Sequence, residues 1–294
     1  MIHTNVKGFK MKIAVLVLAN DEFCVCGRCT KEGGDGGGRS YKPMIEAIRN
    51  TWASSPPDGV KVYYIYGHRE GIEFPDDAEY REVNETYWPD NQKQVVTKKR
   101  FPFAIEDCIY SDTPEGRENL YYKCIDGFEW LLENDDFDYL IRPSAGSYVD
   151  LPLFKASLEN IGVVDDLYAG SVGVYDNSHN HARNPQAHPK VLKFASGSCF
   201  IASRKLIEDL VANRNNIDPV MGPHKISVIC DDVTFAKHFG HDLGAQISPF
   251  MKYEMTLPEQ ASGGVGYAQC YFRHTINPEL HYAVHRAKGY DVGQ

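Results

Sequence analysis

The sequence predicts an α/β fold built on a mixed, mainly parallel sheet flanked by helices. Short β-branched runs alternate with segments of helical periodicity through the first half of the 294 residues. Strand-like runs crowd the second half, which adds antiparallel members to the sheet. A hydrophobic fraction of 43% lets a chain of this length bury a sizeable core without staples. No composition break, linker or internal repeat divides it, so residues 1–294 are read as one domain.

Residues 12–19 (KIAVLVLA) read as a buried strand closed by Asn20 and Asp21. A glycine-rich segment over residues 32–39 follows. A phosphate-binding Gly-x-Gly-x-x-Gly would need a glycine where Arg39 or Tyr41 stands, so the segment reads as a flexible loop. A helix is expected over 41–52, with Ser40 as N-cap and Pro43 in its first turn. Residues 60–66 (VKVYYIY) form a second buried strand. Residues 91–110 read as a helix interrupted at Pro102, with Lys98, Lys99 and Arg100 on its solvated face. A helix over 117–132 leads, after an acidic run, to a strand over 137–141. Strands over 166–174 and 191–202 and helices over 204–213 and 231–239 come next; the tail from Ile247 holds short strands and loops. Ligands of open α/β sheets sit beyond the carboxyl ends of the strands, which directs attention to Asn20, the loop after Tyr66 and the segment after Ile141.

Composition narrows the function. Against 31 Lys and Arg stand 40 Asp and Glu, a net charge of -9, so a broad nucleic-acid footprint is excluded. No apolar run reaches the ~18–20 residues of a membrane span, and residues 13–19 lack a signal-peptide cleavage pattern. The expected location is cytoplasmic. Of eight cysteines, Cys24, Cys26 and Cys29 cluster without a second Cys-x-x-Cys to complete a zinc site and read as free thiols.

Among the carboxylate pairs, Asp231–Asp232 stands out because it follows an apolar run and opens a helix, which fits a helix cap or a general base. His179, His181 and His188 share one polar loop without metal-ligand spacing and read as solvated. His274 is the better single metal-ligand candidate, with a backbone-bonded histidine as the alternative. Residues 195–199 (ASGSC) offer Cys199 as a nucleophile, yet they lie in a strand-like run where glycine permits close approach to a ligand.

Several segments, read in order from about residue 12 to 275, resemble an inverting GT-A glycosyltransferase of the fringe and β1,3-galactosyltransferase-like group. Residues 47–52 (AIRNTW) resemble that group's Ile-Arg-x-Thr-Trp helix, and residues 119–124 (NLYYKC) with Trp130 its Lys- and Trp-bearing helix. Residues 137–142 (FDYLIR) enter the place of its metal-binding Asp-x-Asp. Tyr168-Ala169-Gly170, residues 195–198 and Asp231-Asp232-Val233 resemble its acceptor-side and catalytic segments. A looser resemblance is to soluble glycosyltransferases of large algal viruses.

The resemblance implies transfer of a sugar from a nucleotide-sugar, a UDP-sugar above all, to a hydroxyl of a glycan or glycoprotein. Asp232 is implied as the catalytic base, with Asp231 in reserve. Asn20, Arg49, Lys123, Arg142, Ser144 and Ser147 would bind the donor nucleotide, and Tyr168, Ser196, Gly197 and Ser198 the sugar or acceptor. At the metal turn, however, the chain carries Ser144-Ala145-Gly146, with no carboxylate for manganese or magnesium. The expectation is therefore transfer that is metal-independent or weakly metal-stimulated, with Arg142 and Lys123 clamping the phosphates. Recruitment of Asp150 or another acid as a substitute metal ligand is the competing expectation. Two other functions remain open: a non-catalytic GT-A module that binds glycans or nucleotide-sugars, and a Cys199-dependent hydrolase.

Overall fold

In a computed structural model, residues 10–20, 41–69, 71–85, 95–116, 119–222, 229–272 and 276–291 are described. Ser40, the glycine-rich segment, Cys24, Cys26, Cys29 and His274 lie outside them. The first strand, β1 (Ile13–Leu18), is apolar throughout because both its faces are covered: Ile13, Val15 and Val17 enter one core, Ala14 and Leu16 the other. The helix α1 (Lys42–Arg49) has Pro43 in its first turn and Tyr41 as its N-cap, and lays Met44, Ile45 and Ile48 on the first core. It returns the chain to β2 (Val60–His68), parallel to β1.

The segment expected to be helical around Lys98–Arg100 is extended. A hairpin of β3 (Tyr80–Glu85) and β4 (Val95–Arg100) is followed by β5 (Phe103–Ile105) and β6 (Cys108–Pro114), antiparallel across a turn at Glu106. The basic residues follow the two-residue period of a strand. Lys98 is exposed, Lys99 is buried and bonds Thr113 Oγ1 at 2.7 Å, and Arg100 pairs with Asp112.

On the opposite face of the sheet, α2 (Leu120–Asn134) crosses β1 at Gly127, where a Cβ would come within 2.8 Å of Leu16. Then follow β7 (Tyr139–Pro143), β8 (Ser147–Val149), α3 (Leu151–Ile161), β9 (Tyr168–Asp176), α4 (Ser178–Arg183), β10 (Val191–Ser203) and α5 (Arg204–Ala212). The tail contributes α6 (Asp231–Ala236), running on into a π-helical turn, then β11 (Ile247–Pro249), β12 (Lys252–Met255), β13 (Gln269–Phe272) and α7 (Glu279–Ala287). Sequence periodicity assigned neither β3, α3 nor α7. The histidine loop is not simply solvated either: it winds into α4, and buried His188 sits 3.0 Å from Asp218.

The main sheet has the order β11-β9-β10-β7-β1-β2-β6-β5, with four parallel and three antiparallel contacts. This is the mixed, mainly parallel arrangement that the alternation predicts. A small sheet, β12-β13-β8, stands beside the end of β7. No described helix is long and apolar enough to cross a membrane.

One buried carboxylate ties the β3–β4 hairpin to this body. Asp126 on α2 accepts from Arg81 at 2.6 Å, Arg214 at 3.0 Å, Thr113 at 2.7 Å and Ser111. Lys99, Arg214 and Arg81 overcome its burial and hold its carboxyl far below the usual range. Its stabilising contribution is complete above about pH 4 and is lost only as pH falls through the depressed folded value. Asp126→Asn is expected to lower stability by about 1.5–3 kcal/mol in a denaturant titration at pH 7. An unchanged midpoint would show the network to be energetically idle.

Candidate active site

The sheet itself marks a crevice. From β1 the chain reaches β2 through α1 on one face, and after β6 it returns through α2 on the other face to β7 on the opposite side of β1, so β1 lies at a topological switch point. Ligands of such sheets bind outside the carboxyl ends of the strands at that point. Asn20 follows β1 there, half-buried, and Ser144 bridges Leu18.

A bulge in β10 shapes the floor. Its pairing with β9 breaks between Ala195 and Phe200, so Ser196, Gly197 and Ser198 leave the ladder and bend toward the end of β7. Ser198 O accepts from Ser144 N at 2.9 Å and from Ser147 Oγ at 2.7 Å. Tyr168 supports the bend from below, its hydroxyl accepting from Ala195 N at 3.1 Å.

Asp231 and Asp232 open α6 against this bend. Gly197 N donates to Asp232 Oδ2 at 2.9 Å, and Val233 N donates to Oδ1 at 3.0 Å. A Cβ on Gly197 would lie 3.1 Å from that Oδ2, so only glycine lets the backbone reach the carboxylate without displacement. Arg142, 1% exposed, donates to Asp231 Oδ2 and, at 2.7 Å, to Gly197 O. Burial and the neighbouring Asp231 push the Asp232 carboxyl up to about 6, against the opposing pull of the Gly197 N–H and Arg142. One acid is therefore fixed by a guanidinium, while the other is poised to exchange a proton near neutrality.

A run of hydroxyls continues away from the acids. Ser196 and Ser198 approach at 3.1 Å, and Gln269 Nε2 reaches Ser198 Oγ at 3.0 Å and Ser147 Oγ at 3.3 Å. Lys252 Nζ lies 3.5 Å from Ser196 Oγ. Lys252 and Gln269 carry no motif in the sequence; the pairing of β12 with β13, and of β13 with β8, brings them here.

Asp231, Asp232, Arg142, Ser144, Ser147, Ser196, Gly197 and Ser198 thus form one contiguous cluster, with Asn20 at the neighbouring strand end. The remaining expected residues are engaged otherwise. Lys123 is buried, donating to Ala19 O at 2.9 Å and Glu115 Oε2 at 2.7 Å, so it anchors the end of β1 instead of facing phosphate. Arg142 is likewise occupied by Asp231 and Gly197. Arg49 closes both terminal nitrogens on Asp107, at 2.6 and 2.7 Å, and stacks on Tyr64. Tyr168 is fully buried and acts beneath the bend, not on an acceptor. Cys199 is buried too, and burial pushes its thiol up to about 12, which removes the thiolate that a cysteine hydrolase needs.

Among the described residues no group of three His, Cys, Asp or Glu side chains could hold a metal ion. The turn at Ser144–Ser147 supplies hydroxyls already bonded to each other, to Ser198 O and to Gln269. Asp150 caps α3 through Leu153 N at 3.0 Å and pairs with Lys288 at 3.0 Å.

No family model matches the chain, and no curated protein matches it. Among solved structures it is similar to a glycosyltransferase involved in glycosylating the major capsid of PBCV-1, at 8% identity, 95% coverage of this chain and 99% of that one, with a TM-score of 0.40. It is also similar to the galactosyltransferase LgtC in complex with donor and acceptor sugar analogs, at 9% identity, 96% and 97% coverage, and a TM-score of 0.42.

Proposed function

We propose that this protein transfers a sugar from a nucleotide-sugar, a UDP-sugar first among them, to a hydroxyl of a glycan or glycoprotein with inversion. The observation that carries this reading is Asp232: a carboxylate raised to about 6, held by backbone at a glycine bend, at the carboxyl end of the sheet. Such a group accepts the proton of an incoming hydroxyl at physiological pH and releases it again to water. In the reaction, the acceptor O–H proton passes to Asp232 while the oxygen's electron pair forms the bond to the anomeric carbon. The bond from that carbon to the diphosphate breaks on the opposite face, and its electron pair leaves with the nucleoside diphosphate. The hydroxyls of Ser196 and Ser198 stand on either side of the glycine whose N–H binds Asp232. No step in this scheme runs through a metal ion.

A panel of nucleotide-sugars, screened by thermal shift and then by product formation on glycan acceptors, tests the reading. A cognate donor at 100 times its dissociation constant should add about 2.7 kcal/mol of stability. Stabilisation without turnover or donor hydrolysis, across several acceptors, would identify a binding module instead. Stabilisation by no nucleotide-sugar at all would refute the reading.

A further inference from the structure

A departing diphosphate needs positive charge, and among the described residues the two cations expected from the sequence to supply it are already committed. Arg142 lies sealed beneath the bend on Asp231, and Lys123 is buried on Glu115. The turn that would carry a metal offers no carboxylate. Beside the same bend stands Lys252. Its ammonium lies over the Tyr271 ring, 4.7 Å from the centroid, and its side chain is 15% exposed. The ammonium lies 3.5 Å from Ser196 Oγ, one residue from the Gly197 N–H that binds Asp232. Among the described residues its carboxylate partner is Glu254 at 3.1 Å, and that side chain is 41% exposed. A pair with so exposed a partner contributes at most about 1 kcal/mol, so a ligand carrying two or more negative charges displaces Glu254 readily. Ser196 and Ser198, in contact with each other, supply hydroxyl donors beside the ammonium.

We infer that Lys252, with the hydroxyls of Ser196 and Ser198, forms the diphosphate subsite of this protein and takes the place of a divalent cation in holding the leaving group. The inference rests on the nucleotide-sugar reading above and extends it to a residue that no sequence motif marks. The position of the charge follows from strand pairing: Lys252 is opposite Gln269 on β13, and Gln269 is opposite Val149 on β8, two residues beyond the turn. A lysine acts here as a point charge with rotatable donors, able to follow the phosphate as it leaves.

Calorimetric titration of the full chain with UDP, uridine and pyrophosphate, in chelator and again with manganese, tests this. In chelator, wild type should bind UDP more tightly than uridine. Lys252→Gln should weaken UDP and pyrophosphate about tenfold, the size of one charge-assisted contact, and leave uridine within twofold. Lys252→Arg should restore most of the loss, and equal melting temperatures would show that the variants are folded. UDP binding that is unchanged in Lys252→Gln, or that appears in wild type only with manganese, overturns the diphosphate role while leaving the nucleotide-sugar reading intact. If wild type binds neither UDP nor any other nucleoside diphosphate, with or without manganese, both fall together.

Discussion

Asp232→Asn is expected to lower turnover by about 10²–10⁴-fold, the usual contribution of a positioned proton acceptor, while leaving donor affinity nearly unchanged. In wild type, the rate should fall tenfold per pH unit below about 6, because the carboxylate must be free to accept the proton. The same substitution should make the protein more stable. The Asp232 pKa lies above its unfolded value, so the folded state binds a proton that the unfolded state releases between about pH 4 and 6. Above that window the buried charge opposes folding, by roughly 1–3 kcal/mol. Asp232→Asn should therefore melt higher than wild type at pH 7.5, and the gap should close as pH falls toward 4. Near-normal turnover in the variant would remove Asp232 from the role. Loss of turnover with a lowered melting temperature would mean instead that the carboxylate is structural.

Arg142→Met should produce the largest loss of stability at the site. It leaves Asp231, whose side chain is 18% exposed, without its guanidinium and directly beside Asp232. Breaking a buried pair from one side costs about 3–5 kcal/mol, and the partial exposure of Asp231 places the expectation at the low end. Arg142 also lowers the Asp232 pKa, so the acid limb of the rate profile should move to higher pH in whatever fraction folds. Adding Asp231→Asn to Arg142→Met removes the stranded charge and should recover much of the stability, a coupling that a double-mutant cycle measures directly. If Arg142→Met keeps wild-type stability and its pH limb stays near 6, the guanidinium is not what positions the acid pair. This structural role replaces the phosphate clamp expected for Arg142 from the sequence.

The architecture was written locally. Residues 13–18 are apolar at every position because both faces of β1 are covered, and such a run can be read without knowing its neighbours. The alternation of runs and helices then fixed a mixed α/β sheet with its crevice at the strand ends. Asp231–Asp232 at the start of a helix was likewise visible, since an apolar run meeting an acid pair is a signal in adjacent residues; glycine within a strand-like run marked a close approach at 195–199, but only the ladder with β9 shows the bend. Around Lys98–Arg100 the local signal failed. A basic run carries no apolar period, and β4 is defined by its ladder with β3.

Tertiary structure alone decided which charges are available for chemistry. Arg142 and Asp231 are 89 residues apart, Arg49 and Asp107 58, and Lys252 and Ser196 56. A cation's partner is set by strand register and by which ends of the sheet converge, and nothing in its own neighbourhood reports either. Lys123 and Arg142 therefore read as phosphate ligands in the sequence, yet both are consumed inside the fold. Lys252 reads as one more lysine in a short strand, and the β12–β13–β8 pairing carries it beside Ser196. Hydrophobic burial follows a residue's own chemistry and period, whereas a charge acquires its role from whatever long-range pairing sets beside it.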